Sequence, residues 1–380
     1  MIPYGHQSID DDDVEKVGEV LRSDFLTTGP KIKEFENAFA SRVGAKFAVA
    51  VSNGTAALHV SCLAAGLSSN QELITTPMTF AASANCALYC NARPVFVDIN
   101  EQGLIDETKI ESSITEKTRI LLPVHYAGMP CNLEIIKEIA EKYNLIIIED
   151  ACHALGSNFK DTPIGSCSFS DMSVFSFHPV KHITTGEGGM VTTNSEELFD
   201  RLRFIRTHGI VNEADKFRRE PDGPWYYEMQ MLGFNYRMTD IQAALGLSQL
   251  NKLESFISRR KEIVSRYFRA FDNSPFFDMQ KETPGLFSSY HLFPILLKDE
   301  YVPQQKEIFI KMREAGLGVQ VHYIPVYFHP YYQDLGYEFG LCPEAENFYK
   351  REISIPLFPA MSDHDVEQVI ETINGIFSSS

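Results

Sequence analysis

Short apolar runs alternate with stretches of helical periodicity over the first half of this chain. The runs lie at residues 46–51, 72–75, 94–98, 119–124, 145–150, 174–177 and 190–193. The helical stretches lie at residues 10–23, 31–43, 55–65, 79–89 and 133–142. Nearly continuous apolar strands separated by helices are typical of a mostly parallel sheet that is buried on both faces. We therefore predict an α/β fold, with ligand chemistry at the carboxyl ends of the strands.

The pattern changes at Thr239. Thr239 and Gln242 have the spacing of a helix capping box, and helical periodicity continues to about residue 271. Beyond it, short strands at 290–297 and 318–323 alternate with helices at 303–315 and 363–377. We predict a large domain over residues 1–250 and a smaller α/β domain over residues 251–380. The charged and aromatic residues 212–231 show little periodicity and are predicted to form a loop.

Composition excludes several classes of partner. The chain has 380 residues, 44% of them hydrophobic, and a formal net charge of −17, so we expect a globular protein that does not bind nucleic acid. Its most apolar long stretch, 47–67, is interrupted by polar residues, and we predict no membrane span and no signal peptide. The seven cysteines lack a zinc-like spacing, which predicts no metal site and favours a reducing cytoplasm.

One lysine lies in an unusual setting. Residues 173–189 read SVFSFHPVKHITTGEGG, so Lys181 follows an apolar strand and precedes a glycine-rich run. Aromatic, small and hydroxylated neighbours solvate an ammonium poorly and lower its pKa, which makes the neutral amine available. Such a lysine can form a Schiff base with a carbonyl compound, including pyridoxal phosphate (PLP). The alternative is a lysine at a strand end that reaches for water.

A second feature suits a phosphate group. The segment 52–57 reads SNGTAA and lies between a predicted strand and a predicted helix. A helix N-terminus offers N–H groups and the positive end of the helix dipole to an anion. Gly54 allows close approach of the backbone, Thr55 adds a hydroxyl, and the later Ser176 could join the same site. The alternative is an ordinary N-capping turn.

Three further residues suit an aromatic cofactor ring. Phe80 follows the segment TPMT and can lie against a planar ring, unless it belongs to the core. Asp150 ends the run LIIIED and can pair with a protonated pyridine nitrogen, or simply cap the next segment. By strand alternation Glu149 points to the opposite face. His153 could stack near the ring or bond its 3′-oxygen, with a core histidine as the alternative.

Several motifs resemble one enzyme family. NGTAALH, TPMTFAASAN, EDACHALGS, FSFHPVKHITTGEGG and GFNYRMTDIQAALGLSQL are similar to the DegT/DnrJ/EryC1/StrS sugar-nucleotide aminotransferases, along essentially the whole chain. The resemblance implies PLP transferase fold type I, with a mostly parallel mixed sheet between helices. ITTPMTF and VHYIPVYFHPYY look most like the branch that serves pseudaminic-acid biosynthesis. That branch aminates C4 of a UDP-linked 4-keto-6-deoxy-N-acetylhexosamine, with L-glutamate as the expected donor.

The resemblance also implies roles for individual residues. Lys181 would be the catalytic residue that carries PLP, and the cofactor would pass through a pyridoxamine phosphate form. The implied cofactor-binding residues are Lys181, Asp150, Phe80, His153, Gly54, Thr55, Ala56, Ser176 and, from the neighbouring subunit of a homodimer, Asn235. The implied substrate-binding residues are Thr27, Lys31, Arg237, His322 and Tyr323.

Two alternatives stay open. The first is a member of the same family that acts at C3, or on a dTDP- or GDP-linked keto sugar. The dehydratase branch of the family has histidine at the lysine position, so Lys181 favours transamination. The second is a non-catalytic protein that binds PLP or a sugar nucleotide. A nucleic-acid regulator would normally carry a basic DNA-binding module, which residues 1–30 lack.

Overall fold

A seven-stranded sheet forms the centre of this protein, in a computed structural model that describes residues 1–378. The strands are β1 (Ile2–Pro3), β2 (Phe47–Val51), β3 (Glu72–Thr75), β4 (Arg93–Phe96), β5 (Thr118–Leu122), β6 (Ile146–Asp150), β7 (Asn158–Phe159), β8 (Thr162–Pro163), β9 (Met172–Ser176), β10 (Gly189–Thr193), β11 (Ile210–Val211), β12 (Glu228–Met229), β13 (Phe277–Met279), β14 (Leu286–Phe287), β15 (Phe293–Leu297), β16 (Leu317–Gly318) and β17 (Glu352–Ile355). The central order is β2-β10-β9-β6-β5-β3-β4, in which β10 pairs antiparallel with both neighbours and the other pairs are parallel. The prediction of a mostly parallel mixed sheet is confirmed.

Helices cover both faces of this sheet. They are α1 (Asp11–Leu21), α2 (Pro30–Val43), α3 (Gly54–Ala64), α4 (Ala82–Tyr89), α5 (Leu133–Tyr143), α6 (Glu196–Arg206), α7 (Asp240–Ala270), α8 (Gln305–Glu314), α9 (Pro330–Asp334), α10 (Pro343–Tyr349) and α11 (Asp363–Ser378). Short 3-10 helices lie at Glu107–Lys109, Glu111–Ser113, Tyr126–Gly128, Ala214–Lys216, Asp299–Gln304 and Val326–Phe328. Within residues 1–378, no helix is long and apolar enough to cross a bilayer. The cytoplasmic location stays a prediction.

Two apolar layers explain the continuous apolar runs in the strands. On one face of the sheet, Val49 and Val51 pack with residues of α3, α4 and α6. On the other face, Ala48 and Ala50 pack with residues of α2 and α7. Successive side chains of β2 enter opposite layers, and both layers are apolar. Every position of the strand is therefore apolar, and no alternation of apolar and polar residues remains.

The long helix α7 begins where the capping box predicts. The Gln242 N–H donates to the Thr239 hydroxyl at 3.2 Å, and the Thr239 N–H donates to the Gln242 side chain at 2.9 Å. The predicted boundary at residue 250 falls inside α7. In addition, β1 pairs with β16 near the other end of the chain. The division into domains 1–250 and 251–380 stays a prediction, with α7 shared between the two parts.

The C-terminal part has a smaller sheet of its own, in the order β13-β15-β17. An apolar cluster between this sheet, α8 and α11 forms its core. The strand predicted at 318–323 is shorter than expected, because the chain leaves β16 after Gly318 and turns towards the central sheet. Helix α6 was missed, since its buried Leu202 and Ile205 are surrounded by charged residues. The predicted loop 212–231 contains one 3-10 turn and the short β12.

Candidate active site

A cavity of about 1180 Å³ opens where β2, β6 and β9 end. Small-molecule sites usually have volumes of roughly 300–1,000 Å³, so this cavity has room for a cofactor together with a substrate. Ten of the residues singled out from the sequence line it: Gly54, Thr55, Ala56, Phe80, Asp150, His153, Ser176, Lys181, His322 and Tyr323. The structure thus brings together residues from five separate parts of the sequence.

Lys181 is half-buried and lines the cavity just beyond β9. A turn closed by the Lys181 N–H, which donates to the His178 carbonyl at 2.8 Å, directs the chain there. The Lys181 Nζ lies 3.5 Å from Nε2 of His291. Burial lowers the pKa of Lys181, although the nearby Asp150 carboxylate and Cys152 thiol oppose this shift. The local environment therefore favours the neutral amine more than an exposed site would.

Asp150 is fixed by two donors at the end of β6. The Ser83 hydroxyl donates to one carboxylate oxygen at 2.6 Å, and the Cys152 N–H donates to the other at 3.1 Å. The neighbouring Glu149 points away and bonds His125 at 2.8 Å inside the protein. The predicted alternation of the two acids is confirmed, and Asp150 is the one that lines the cavity.

Helix α3 starts at the cavity wall. The Asn53 side chain accepts the Ala56 N–H at 2.8 Å, so an ordinary N-cap is present. Its first turn nevertheless faces the cavity, and Gly54 packs closely against Ser176. A Cβ at position 54 would lie only 2.9 Å from the Ser176 Cβ. Glycine is therefore required by the close approach of α3 to β9, and the helix N-terminus stays open to an anion.

Phe80 and His153 both line the cavity, but Phe80 is exposed and His153 is buried. Phe80 is 64% exposed, so the alternative of a core residue is wrong. His153 is buried, with its ring centre 4.3 Å from that of His291, and its Nε2 bonds the Tyr323 hydroxyl at 3.0 Å. The Nδ1 of His153 has no hydrogen-bond partner among the residues that the structure describes. A buried polar atom without a partner is a place for a ligand to bond.

Four predicted residues lie outside this cavity. Thr27 pairs with Thr239 through the backbone, and Lys31 bonds Glu34 at 2.6 Å. Asn235 is exposed, and Arg237 pairs with Val51. Their roles in binding stay predictions, since these four residues do not line the cavity of a single chain.

The cavity is also poor in positive charge. Within the described part of the chain, Lys181 is the one lysine that lines it and no arginine does. A binding site for several phosphate groups would normally present more cationic side chains than this.

Sequence reasoning missed Ser83 and His291. Ser83 lies in the motif TPMTFAASAN, three residues after Phe80, so a search of that motif for a donor to Asp150 would have found it. Nothing in the local sequence of His291 distinguishes it from a core histidine. It reaches Lys181 only because the loop before β15 folds against the end of β9.

Comparisons with known proteins agree on one family. The family model described as the DegT/DnrJ/EryC1/StrS aminotransferase family matches residues 7–374. The chain is 40% identical over 379 residues to UDP-4-amino-4,6-dideoxy-N-acetyl-beta-L-altrosamine transaminase of Campylobacter jejuni, which covers 99% of this chain and 97% of the relative. It is also 40% identical over 388 residues to the spore coat polysaccharide biosynthesis protein SpsC of Bacillus subtilis, with coverage of 99% and 97%.

A solved structure matches over the full length. Helicobacter pylori PseC, an aminotransferase involved in the biosynthesis of pseudoaminic acid, superposes with a TM-score of 0.93 at 34% identity and covers 100% of both chains. At this identity and coverage, the likeness extends over the whole fold.

Four buried histidines, three of which line the cavity, make the stability of the folded protein depend on pH. Burial lowers the pKa of His153, His182 and His291 well below 6.5, and lowers the pKa of His322 to about 3. Below pH 6.5 the unfolded chain binds protons that the folded chain does not. The free energy of unfolding therefore falls as the pH drops, by about 1.4 kcal/mol per pH unit for each such histidine.

We expect His182→Asn to make this loss shallower by about 1.4 kcal/mol per pH unit between pH 6 and pH 5. The asparagine removes the titrating ring. Its shorter side chain also gives up the 3.2 Å contact of the His182 Nε2 with the Ser289 carbonyl, a loss that lowers the stability equally at every pH and leaves the slope unaffected. Urea unfolding at several pH values measures the slope. His6→Asn, at an exposed site, is the control and should leave the slope as it is. Equal slopes in His182→Asn and the unmodified protein would contradict the assignment.

Proposed function

This chain belongs to the DegT/DnrJ/EryC1/StrS aminotransferase family, so it is a PLP-dependent sugar aminotransferase, and we propose that it transfers the amino group of L-glutamate to C4 of a UDP-linked 4-keto-6-deoxy-N-acetylhexosamine. Family membership confirms the predicted enzyme class and PLP transferase fold type I. One observation carries the chemical part of the proposal: the Lys181 amine, the Asp150 carboxylate and the N-terminus of α3 line the same cavity.

The residues present fit PLP. Gly54 leaves a cradle at the helix N-terminus that a Cβ would fill, which suits the phosphate. Asp150 is held with its carboxylate at the cavity, which suits the pyridine nitrogen, and the unpartnered His153 Nδ1 suits the ring oxygen. When bound, PLP supplies an electron-accepting ring that makes removal of the donor Cα proton feasible.

The chain itself supplies positioning and proton transfer. Lys181 would hold the cofactor through its amine, and the same amine, when free, would take the proton from the donor Cα. Its lowered pKa brings it nearer to the operating pH, where a general base is most effective. Asp150 keeps the ring nitrogen protonated, since a carboxylate fixed by two donors stays in place as the charge on the ring changes. Phe80, which lines the cavity, would pack against one face of the ring.

The phosphate contacts in this proposal come from the first turn of α3 and from β9. The Thr55 hydroxyl and the backbone near Ala56 contact it from the helix, and the Ser176 hydroxyl from the strand end. These groups lie at the cavity wall, where they can bind the phosphate without burying it completely.

The acceptor is inferred from the relatives together with one part of the cavity. The Campylobacter jejuni relative is a transaminase of a UDP-linked 4,6-dideoxy sugar, and Helicobacter pylori PseC acts in pseudoaminic-acid biosynthesis. His322 and Tyr323, which belong to the motif shared with that branch, line the cavity. Amination at C3, or of a dTDP- or GDP-linked sugar, is the alternative within the family.

A homodimer with shared active sites would supply the cationic side chains that the cavity of one chain lacks. The backbones of Phe234 and Tyr236 bond the end of α6, and their side chains line this chain's cavity, whereas Asn235 between them is exposed. The nearby surface carries exposed apolar side chains: Phe25, Leu26, Trp225, Tyr227, Met229 and Leu232. Such surfaces mark interaction sites, and a second copy is the partner that would bring Asn235 and Arg237 to the phosphates.

Purified protein with PLP and L-glutamate should aminate the UDP-linked 4-keto-6-deoxy-N-acetylhexosamine in preference to dTDP- and GDP-linked 4-keto sugars and to 3-keto sugars. Mass spectrometry would detect the product and NMR would locate its nitrogen. The variant Lys181→Ala should bind PLP without turnover and serves as the control. Nitrogen at C3 would contradict the proposed position, and turnover of none of the acceptors would favour the non-catalytic alternative.

Mixing two inactive variants tests the shared site. When Lys181→Ala and Asn235→Ala chains are unfolded together and refolded, each mixed dimer should contain one complete site. Random pairing predicts recovery of about a quarter of the original activity. The matched control mixes Lys181→Ala with Asp150→Ala, whose defects lie in the same cavity of one chain, and should recover nothing. Absence of recovery with the first pair would contradict the contribution of Asn235 across the interface.

A further inference from the structure

A chain of hydrogen bonds runs from the cavity into the small sheet behind it. The Nδ1 of His322 lies 2.8 Å from the Ser354 hydroxyl oxygen, and that oxygen lies 2.5 Å from Oε1 of Glu352. The other oxygen, Oε2, accepts the backbone N–H of His322 at 2.6 Å. All three side chains are buried, and His322 also lines the cavity. We call this chain the Glu352 relay.

Hydrogen counting gives the Glu352 relay two states. If Glu352 is ionised, the Ser354 hydroxyl donates to it, so His322 must donate from Nδ1 and present an Nε2 lone pair. If Glu352 is protonated, it donates to Ser354, which donates to Nδ1, so His322 carries its proton on Nε2. Since Nδ1 bonds Ser354 in both states, Nε2 is the nitrogen left for the cavity. The same heavy-atom positions serve both states.

Glu352 is an unusual residue for its position. It begins the strand β17, in which it alternates with the apolar Ile353 and Ile355, and its side chain is fully buried. Within residues 1–378, no lysine or arginine forms an ion pair with it. Burial raises the pKa of Glu352 to about 8, although the Ser354 hydroxyl and the His322 N–H oppose the shift. Both states of the relay are therefore accessible near neutral pH.

The other titratable groups around the Glu352 relay do not change their protonation near neutral pH, so none of them competes with Glu352. The Tyr4 ring packs 5.1 Å from that of His322, the Tyr126 hydroxyl donates to the His322 carbonyl at 2.7 Å, and Tyr323 follows in sequence. Burial raises the pKa of each of these three phenols. The positive charge of Lys181 adds to burial in lowering the pKa of His322, which keeps the imidazole neutral.

Amination of the sugar requires protons to be delivered to its C4 oxygen. During amination, the nitrogen lone pair forms a bond to C4 while the π electrons of the carbonyl move to oxygen. The remaining C4–O bond then breaks with its electron pair on oxygen, which leaves as water. The oxygen gains two protons in this exchange, and the nitrogen loses protons as it bonds to C4.

We propose that the Glu352 relay is the proton donor for this step, with His322 Nε2–H protonating the departing C4 oxygen and Glu352 replacing the proton through Ser354. The relay donates one proton as the C4–N bond forms and recovers one from the nitrogen through the Nε2 lone pair. It then donates the second proton as water leaves and recovers the second from the nitrogen, so it is unchanged after each turnover. The inference rests on the proposed function, because it assigns the relay to the sugar half of the reaction. The glutamate half ends with the reverse exchange, in which water adds to the keto-acid carbon as nitrogen leaves, and the relay takes up the protons of that water.

Glu352→Gln tests the relay, since the amide keeps the shape of the side chain but cannot pass on a proton. In single-turnover measurements we expect the amination of the keto sugar to slow about 100-fold, as for the loss of a general acid, while exchange of the L-glutamate Cα hydrogen for deuterium, which involves no oxygen, keeps its rate. Ser354→Ala should cause a similar loss, and the double variant no further loss. An unchanged amination rate in Glu352→Gln would overturn the proposal.

A measurement without cofactor separates this inference from the proposed function. In cofactor-free protein labelled with ¹⁵N-histidine, the Nε2 signal of His322 should change from protonated to unprotonated as the pH rises through about 8. Glu352→Gln should abolish that change. Tyr126→Phe, which removes a hydroxyl bonded to the same residue but outside the relay, should keep it. An Nε2 signal that does not change with pH in the unmodified protein would contradict the relay, whatever the enzyme does with L-glutamate.

Discussion

The site depends on a lysine amine that has lost much of its water at the end of a parallel strand. Lys181 lies beyond β9, whose neighbour β6 ends in Asp150 and whose face packs against the N-terminus of α3. Parallel strands place their carboxyl ends along one edge, so a nucleophilic amine, a fixed carboxylate and an anion site come within reach of one small molecule. Burial at this edge lowers the pKa of the amine, against the opposing charge of Asp150, without removing the amine from the cavity.

The fold was largely predictable, because a sheet buried on both faces requires continuous apolar runs and leaves a strong pattern. The alternation of Glu149 and Asp150 was equally predictable, since strand geometry alone separates them. The limits appeared where contacts join distant segments. Ser83 bonds Asp150 across 67 residues, and only its place in the motif TPMTFAASAN points to it. His291 reaches Lys181 across 110 residues, and this contact leaves no local signal. Helix α7 likewise crosses the predicted boundary because one continuous periodic stretch serves both parts of the chain.

Charge distribution links the single chain to its proposed assembly. A protein with a net charge of −17 and a cavity lined by one lysine is poorly suited to bind a phosphate and a nucleotide by itself. The exposed Asn235 and the neighbouring Arg237 are available for a second cavity, beside a surface of exposed apolar side chains. The proposed dimer therefore resolves a deficit of charge as well as covering apolar surface. In the same cavity, the Glu352 relay would transfer the protons of the departing oxygen, whereas Lys181 would transfer the Cα proton.

The most direct test of the central claim is the visible absorption of the purified protein with PLP, recorded before and after L-glutamate is added without any sugar. The account predicts that a band of lysine-bound cofactor forms and then gives way to the absorption of pyridoxamine phosphate. The same band should be missing in Lys181→Ala. A band that forms and does not respond to L-glutamate would contradict the proposed donor, and the absence of any band would contradict Lys181 as the cofactor-binding lysine.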